Sequence, residues 1–167
     1  MSLLSISKGE YIMKSAYGFG VFVAISAFAS FGLCSNAYAV NANHSGTVCK
    51  NYNASQVTDI DYLPNGTRNL NASARYVICP ITRSPTSTNQ VSVYIDGFAS
   101  SGNTVSCTLY SYDYNGTFLG SQSFPTPRTG TFDQHLAVAG SYWGNASVLC
   151  LLPGNAGGII YGVEVVQ

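Results

Sequence analysis

The stretch Thr104-Val-Ser-Cys-Thr-Leu-Tyr-Ser-Tyr-Asp-Tyr-Asn-Gly-Thr-Phe-Leu-Gly120 decides the fold. Val105, Cys107, Leu109 and Ser111 fall on one side of an extended chain; Ser106, Thr108, Tyr110 and Tyr112 fall on the other. That period of two belongs to a strand with one face in a core. Asn115-Gly116 follows, the pair that a type I′ turn prefers because both central residues need positive φ. Phe118 then reads as the return to the apolar side. The stretch predicts one β-hairpin, with Cys107 on its buried face.

Outward from the hairpin, the cysteines set the compartment. Cys49, Cys79, Cys107 and Cys150 remain once the leading segment is set aside. An even set in an exported chain predicts two disulfides. Three pairings are possible; the apolar strand patterns around Cys107 and Cys150 favour 107–150 with 49–79, joined across a core. Zinc is the rival use of these thiols. The chain has no C-x-x-C pair, and only His44 and His135 could complete a shell, so no metal and no cofactor is expected.

The leading segment has the build of a secretory signal. Lys14 precedes an apolar run from Ala16 to Leu33, and Ala37-Tyr38-Ala39 forms an A-x-A cleavage site. Met13-Lys14 reads as the natural start. The expectation is a signal peptide over residues 1–39 and a single domain over 40–167, secreted or periplasmic. That domain carries five cationic and six anionic side chains. So little charge speaks against nucleic acid and acidic membrane as partners, since both need clustered cations.

Other segments repeat the strand grammar. Ser73–Ile81, Val91–Asp96, Thr117–Phe124, Thr131–Ala139, Ser147–Leu152 and Ile159–Val166 alternate or are rich in Val, Ile and Leu, with Gly, Pro and Asn between them. Pro80 cannot donate to a ladder, so it ends its strand or lies at an edge. Val40–Gly46 reads as a loose leader, Thr47–Tyr52 as a first strand, and 53–71 as an irregular excursion around Leu63-Pro-Asn-Gly66 with a short strand near Val57–Tyr62. Ser100–Asn103 reads as the turn into the central hairpin. About eight short strands predict an all-β, antiparallel β-sandwich, jelly-roll-like or immunoglobulin-like.

Cys79-Pro-Ile-Thr-Arg83, the Cys107-x-Leu109 strand, Cys150-Leu-Leu-Pro153 and Ile160-Tyr-Gly-Val-Glu164 together resemble a group of small exported bacterial proteins of uncharacterised activity. The resemblance implies export and a disulfide-linked β domain. It implies no activity and carries over no functional residue.

Catalytic patterns are thin. Asp133 and His135 share a strand face and could serve a Ser-His-Asp hydrolase, but no G-x-S-x-G elbow accompanies them. Asp96 and Asp113 could approach across adjacent strands as a glycosidase pair, or simply cap turns. Asp59-x-Asp61 could contribute to a calcium site. Arg83 and Asp96 read as a structural ion pair. The six N-x-[ST] sequons, at Asn43, Asn53, Asn65, Asn71, Asn115 and Asn145, reflect an Asn- and Ser-rich surface or glycosylation.

Aromatic side chains are the most suggestive feature. Tyr94, Tyr110, Tyr112 and Tyr114 lie opposite the apolar alternation on what read as neighbouring strands, and Trp143 is the single tryptophan. The expectation is a ligand platform of Tyr94, Tyr110, Tyr112 and Trp143, stacking on a neutral polysaccharide or another cell-surface component. The functional reading is therefore an exported, non-enzymatic binding module. The alternatives are a structural, self-assembling extracellular domain and, third, a small hydrolase.

Overall fold

The computed structural model describes residues 41–83 and 90–166. The signal-peptide expectation over residues 1–39 lies outside the described residues. Among the described residues eleven strands form: β1 (Ala42–Ser45), β2 (Lys50–Asn51), β3 (Ile60–Leu63), β4 (Gly66–Asn69), β5 (Arg75–Ile81), β6 (Gln90–Ala99), β7 (Ser106–Tyr112), β8 (Phe118–Ser123), β9 (Gly130–Ala139), β10 (Asn145–Leu152) and β11 (Gly158–Val166). They make two antiparallel sheets. The larger runs β3-β4-β11-β6-β9, with β1 also on β11; the smaller runs β2-β5-β10-β7-β8. The predicted sandwich is present.

Its core is one apolar cluster fed by the inward residues of both sheets. Val93, Ile95, Leu136, Ile160 and Val163 come from the larger sheet; Val77, Leu109, Val148 and Leu152 come from the smaller. Each stands on a strand of alternating burial, so burial of these side chains selects both register and facing.

Both expected disulfides form, Cys49–Cys79 and Cys107–Cys150. Their placement differs from the expectation. Cys107 and Cys150 are register partners on neighbouring strands β7 and β10, so the bridge is a rung within one sheet rather than a tie across the core. Cys49 lies just before β2, which pairs with β5 through Lys50–Ile78. Both bridges therefore reinforce the smaller sheet.

Short strands in the N-terminal part of the domain raise the count above eight. The expected loose leader contains β1, which pairs with Gly162–Val165 of β11. Its polar sequence is no obstacle, because its backbone groups fill an open edge of β11 while Asn43 faces solvent. Thr47–Tyr52 contributes only β2, preceded by a 3-10 turn over Gly46–Val48. The excursion contains the β3–β4 hairpin, closed at Leu63–Gly66; β3 is the short strand expected near Val57–Tyr62, but it begins only at Ile60, because Ala54–Asp59 is a 3-10 turn. A Cβ on Gly66 would sit 2.2 Å from the Ile160 carbonyl oxygen, so glycine lets β4 enter against β11.

The central hairpin pairs β7 with β8 as expected, but its turn is of another type. Gly116 has φ 84 and Asn115 is not among the residues with positive φ. Gly116 N donates to Asp113 O at 2.9 Å, and Asp113 N donates to Thr117 O at 2.8 Å. This is a type I turn followed by a glycine bulge, the three-residue solution. The ladder is irregular at Ser111–Tyr112, where Tyr112 pairs with Phe118. Phe118 consequently lies outside, 54% exposed, against Tyr112 rather than in the core.

Pro80 does sit within β5. It pairs with Ser147 of β10 on one side, while β2 reaches only Val77 and Ile78 on the other. The missing donor therefore faces a locally uncovered edge.

Candidate functional site

The outer face of the smaller sheet is formed by the alternate residues its strands do not bury. Tyr76 and Ile78 project from β5, Ser147 and Leu149 from β10, and Tyr110 and Tyr112 from β7; all are exposed or half-buried between buried neighbours. Register sets their spacing. Tyr110 stands opposite Ser147, and Leu149 lies between Ile78 and Thr108. Tyr52 is brought over the β5 edge by the hydrogen bond from its amide to Tyr76 O, 3.0 Å.

These side chains enclose a shallow groove of about 230 Å³ lined by Tyr52, Ile78, Tyr110, Tyr112, Ser147 and Leu149. None of the lining residues carries a formal charge. Three tyrosines and two aliphatic residues line it, and Ser147 adds a hydroxyl. A surface shared between apolar ring and aliphatic carbon and polar groups suits a ligand that has flat apolar faces and many hydroxyl groups of its own.

The expected platform is thus only partly assembled. Tyr110 and Tyr112 share the groove. Tyr94 does not: it lies on β6, which belongs to the larger sheet, so it points from the opposite side of the sandwich. Ser100–Asn103 carries the chain from one sheet to the other instead of closing a hairpin. Trp143 lies in the turn between β9 and β10, edge-on to Tyr142 at 4.9 Å, outside the groove lining. Tyr52, Ile78, Ser147 and Leu149 are the groove residues that sequence reasoning missed. Their signal, an apolar residue on the solvent face of a strand, was present at Ile78 and Leu149.

The other candidate residues are placed as follows. Asp59 accepts from Arg75 Nε at 2.6 Å and from Asn71 Nδ2 at 3.1 Å; the Arg75 bond holds its carboxyl below the usual range. Asp61 pairs with Arg68 at 2.9 Å. The two aspartates are thereby engaged with arginines rather than gathered around a cation. Among the described residues no group of His, Cys, Asp and Glu side chains is arranged to hold a metal ion. Arg83 and Asp96 are not joined as expected. Arg83 Nη2 donates to Ser141 O at 2.7 Å, and Asp96 faces Asp133, its register partner on β9.

Asp113 is remote from the expected pairing with Asp96. It sits in the β7–β8 turn, where it accepts from Tyr114 N and Ser141 Oγ, a turn-capping role. His135 contacts the Tyr94 ring at 4.8 Å between centroids, and its Nε2 lies 2.6 Å from Ser92 Oγ. This Ser–His contact sits on the open outer face of the larger sheet.

Asp96 and Asp133, directly opposite on that face, are a like-charge pair. Burial first, then Asp133 and Glu164, raise the Asp96 pKa. A raised folded-state pKa means that this group favours folding in acid and that the benefit is lost as pH rises through that pKa. Asp133→Asn should raise stability at neutral pH by about 0.5 kcal/mol. The gain should fade in acid, where the carboxyls are protonated, and in high salt. Urea unfolding at neutral and acid pH checks this; identical neutral-pH stabilities would contradict it.

No family model matches the chain, and no curated protein matches it in sequence. Several solved structures resemble it distantly. The C-terminal CBM6 of a marine laminarinase from Zobellia galactanivorans is 14% identical, with 77% of this chain and 100% of that one covered and a TM-score of 0.46. A CBM35 from Paenibacillus barcinonensis is 15% identical, with coverages of 77% and 98% and a TM-score of 0.45. A carbohydrate-binding module CBM36 in complex with calcium and xylotriose is 16% identical, with coverages of 75% and 99% and a TM-score of 0.43.

Proposed function

We propose that this chain is an exported, non-enzymatic binding module that holds a neutral polysaccharide weakly on the outer face of its smaller sheet. The observation that carries the reading is the uncharged groove walled by Tyr52, Tyr110 and Tyr112. Pyranose rings present apolar C–H faces that stack on aromatic rings, and their hydroxyls can reach Ser147 and the tyrosine hydroxyls. Stacking of bases on aromatic side chains contributes about 1–3 kcal/mol per ring; a sugar face is taken as comparable. Two structural disulfides suit a secreted or periplasmic setting. Self-assembly through a strand edge is the less favoured reading. At β9, an edge of the larger sheet, Gln122 Oε1 already accepts from the Ala137 amide at 2.6 Å, which covers part of that edge.

Electrophoresis through gels containing soluble β-glucan, galactomannan or arabinoxylan tests the proposal. At least one should retard the protein, with little dependence on salt, since no counterions are released. Tyr110→Ala should abolish the retardation while leaving the melting temperature within a few degrees. Tyr94→Ala, on the far sheet, should be retarded like the parent. Equal retardation of the Tyr110 variant and the parent, or unfolding of that variant, overturns the proposal.

A further inference from the structure

Building on the polysaccharide reading, we infer that the ligand is an extended stretch of polymer several units long, gripped by a ring pair at each end of a diagonal band, and not a monosaccharide. The first pair is Tyr52 with Tyr76, edge-on at 6.3 Å. The second is Tyr112 with Phe118, tilted at 5.7 Å. Register places them at opposite corners of the same sheet. Tyr76 of β5 is level with Leu151 of β10 and Ser106 of β7. From there Tyr112 of the second pair lies along β7 from Ser106, at about 3.4 Å per residue, and two strand spacings of about 4.8 Å across, for a backbone separation from Tyr76 of about 22 Å.

The ground between the corners mixes apolar side chains with the Ser147 and Tyr110 hydroxyls. Ile78, Leu149 and Tyr110 step diagonally from one pair to the other. A pyranose unit adds roughly one strand spacing of length, so a single sugar can touch one corner and not both. Only a chain of several units engages the whole band. Tyr52, Tyr76 and Phe118 are 60%, 46% and 54% exposed. The fold therefore has little use for these rings, and their removal leaves the core intact.

Calorimetric titration with oligosaccharides tests the inference. They are made by partial hydrolysis of whichever polysaccharide retards the protein, from disaccharide to hexasaccharide. Affinity should climb with chain length and level off once both corners are reached. Tyr76→Ala, at a position outside the groove lining, should weaken the hexasaccharide about tenfold and leave the disaccharide unchanged. Phe118→Ala should weaken the hexasaccharide similarly. Affinity independent of length, with binding still lost in Tyr110→Ala, overturns the two-ended grip and leaves the polysaccharide reading standing. Absence of retardation by every polysaccharide, or insensitivity to Tyr110→Ala, removes both.

Discussion

Asn69→Asp should destabilise the domain by about 4 kcal/mol or more, although the two side chains differ by one group. Asn69 is fully buried. Its Nδ2 donates to Ser73 O at 2.8 Å, Pro153 O at 3.1 Å and Leu152 O at 3.3 Å, and its Oδ1 accepts from Asn71 N at 3.0 Å. Its own carbonyl accepts from Ala156 N at 2.7 Å. One amide thus ties β4 to the turn before β5 and to the loop between β10 and β11. A carboxylate there has no hydrogen to give and faces carbonyl oxygens in a fully buried site, so the substitution adds an uncompensated buried charge to the lost bonds. A domain of ordinary stability, about 5–15 kcal/mol, would be brought close to unfolding. Urea unfolding at neutral pH measures the loss. In acid, protonation restores one donor and should recover part of it. A variant within about 1 kcal/mol of the parent would show that the Asn69 bonds are replaceable.

Serine at Cys107 or at Cys150 should cost about 2–5 kcal/mol, and the double substitution little more than either alone. The bridge closes a loop of 43 residues, so its loss releases unfolded-chain entropy. Cys107 and Cys150 are 1% and 0% exposed, so each single variant also leaves a buried thiol facing a buried hydroxyl. The bridge joins the strands that carry Tyr110 and Ser147. Thermal unfolding of the three variants, with thiol counting on the parent, checks the prediction. Additive losses, or free thiols in the native protein, would show that the bridge is not the source of the stability.

The groove was legible only in pieces. Tyr110 and Tyr112 were marked by the same alternation that buries Leu109 and Ser111. Tyr52 was not, because it follows a strand of two residues and is held by a single backbone bond to Tyr76. Trp143 drew attention as the single tryptophan, but its place in the β9–β10 turn keeps it outside the groove. Tyr94 failed for a different reason. Its strand alternates as cleanly as β7, and Ser100–Asn103 has turn composition whether it closes a hairpin or carries the chain between sheets.

What the sequence alone determined is inside versus outside along the alternating strands, β8 with its outward Phe118 excepted. A side chain's direction follows from the local pleat, and four cysteines on an exported β chain leave few pairings. Tertiary structure alone decided which strands are neighbours, and therefore that Tyr110 joins Tyr52 and Ile78 while Tyr94 looks the other way. Neighbour choice rests on pairing between distant segments, such as β10 with β5 and β1 with β11. The free energy of that choice comes from burying a shared core and satisfying backbone groups across the sheet, and a period read within one strand contains neither.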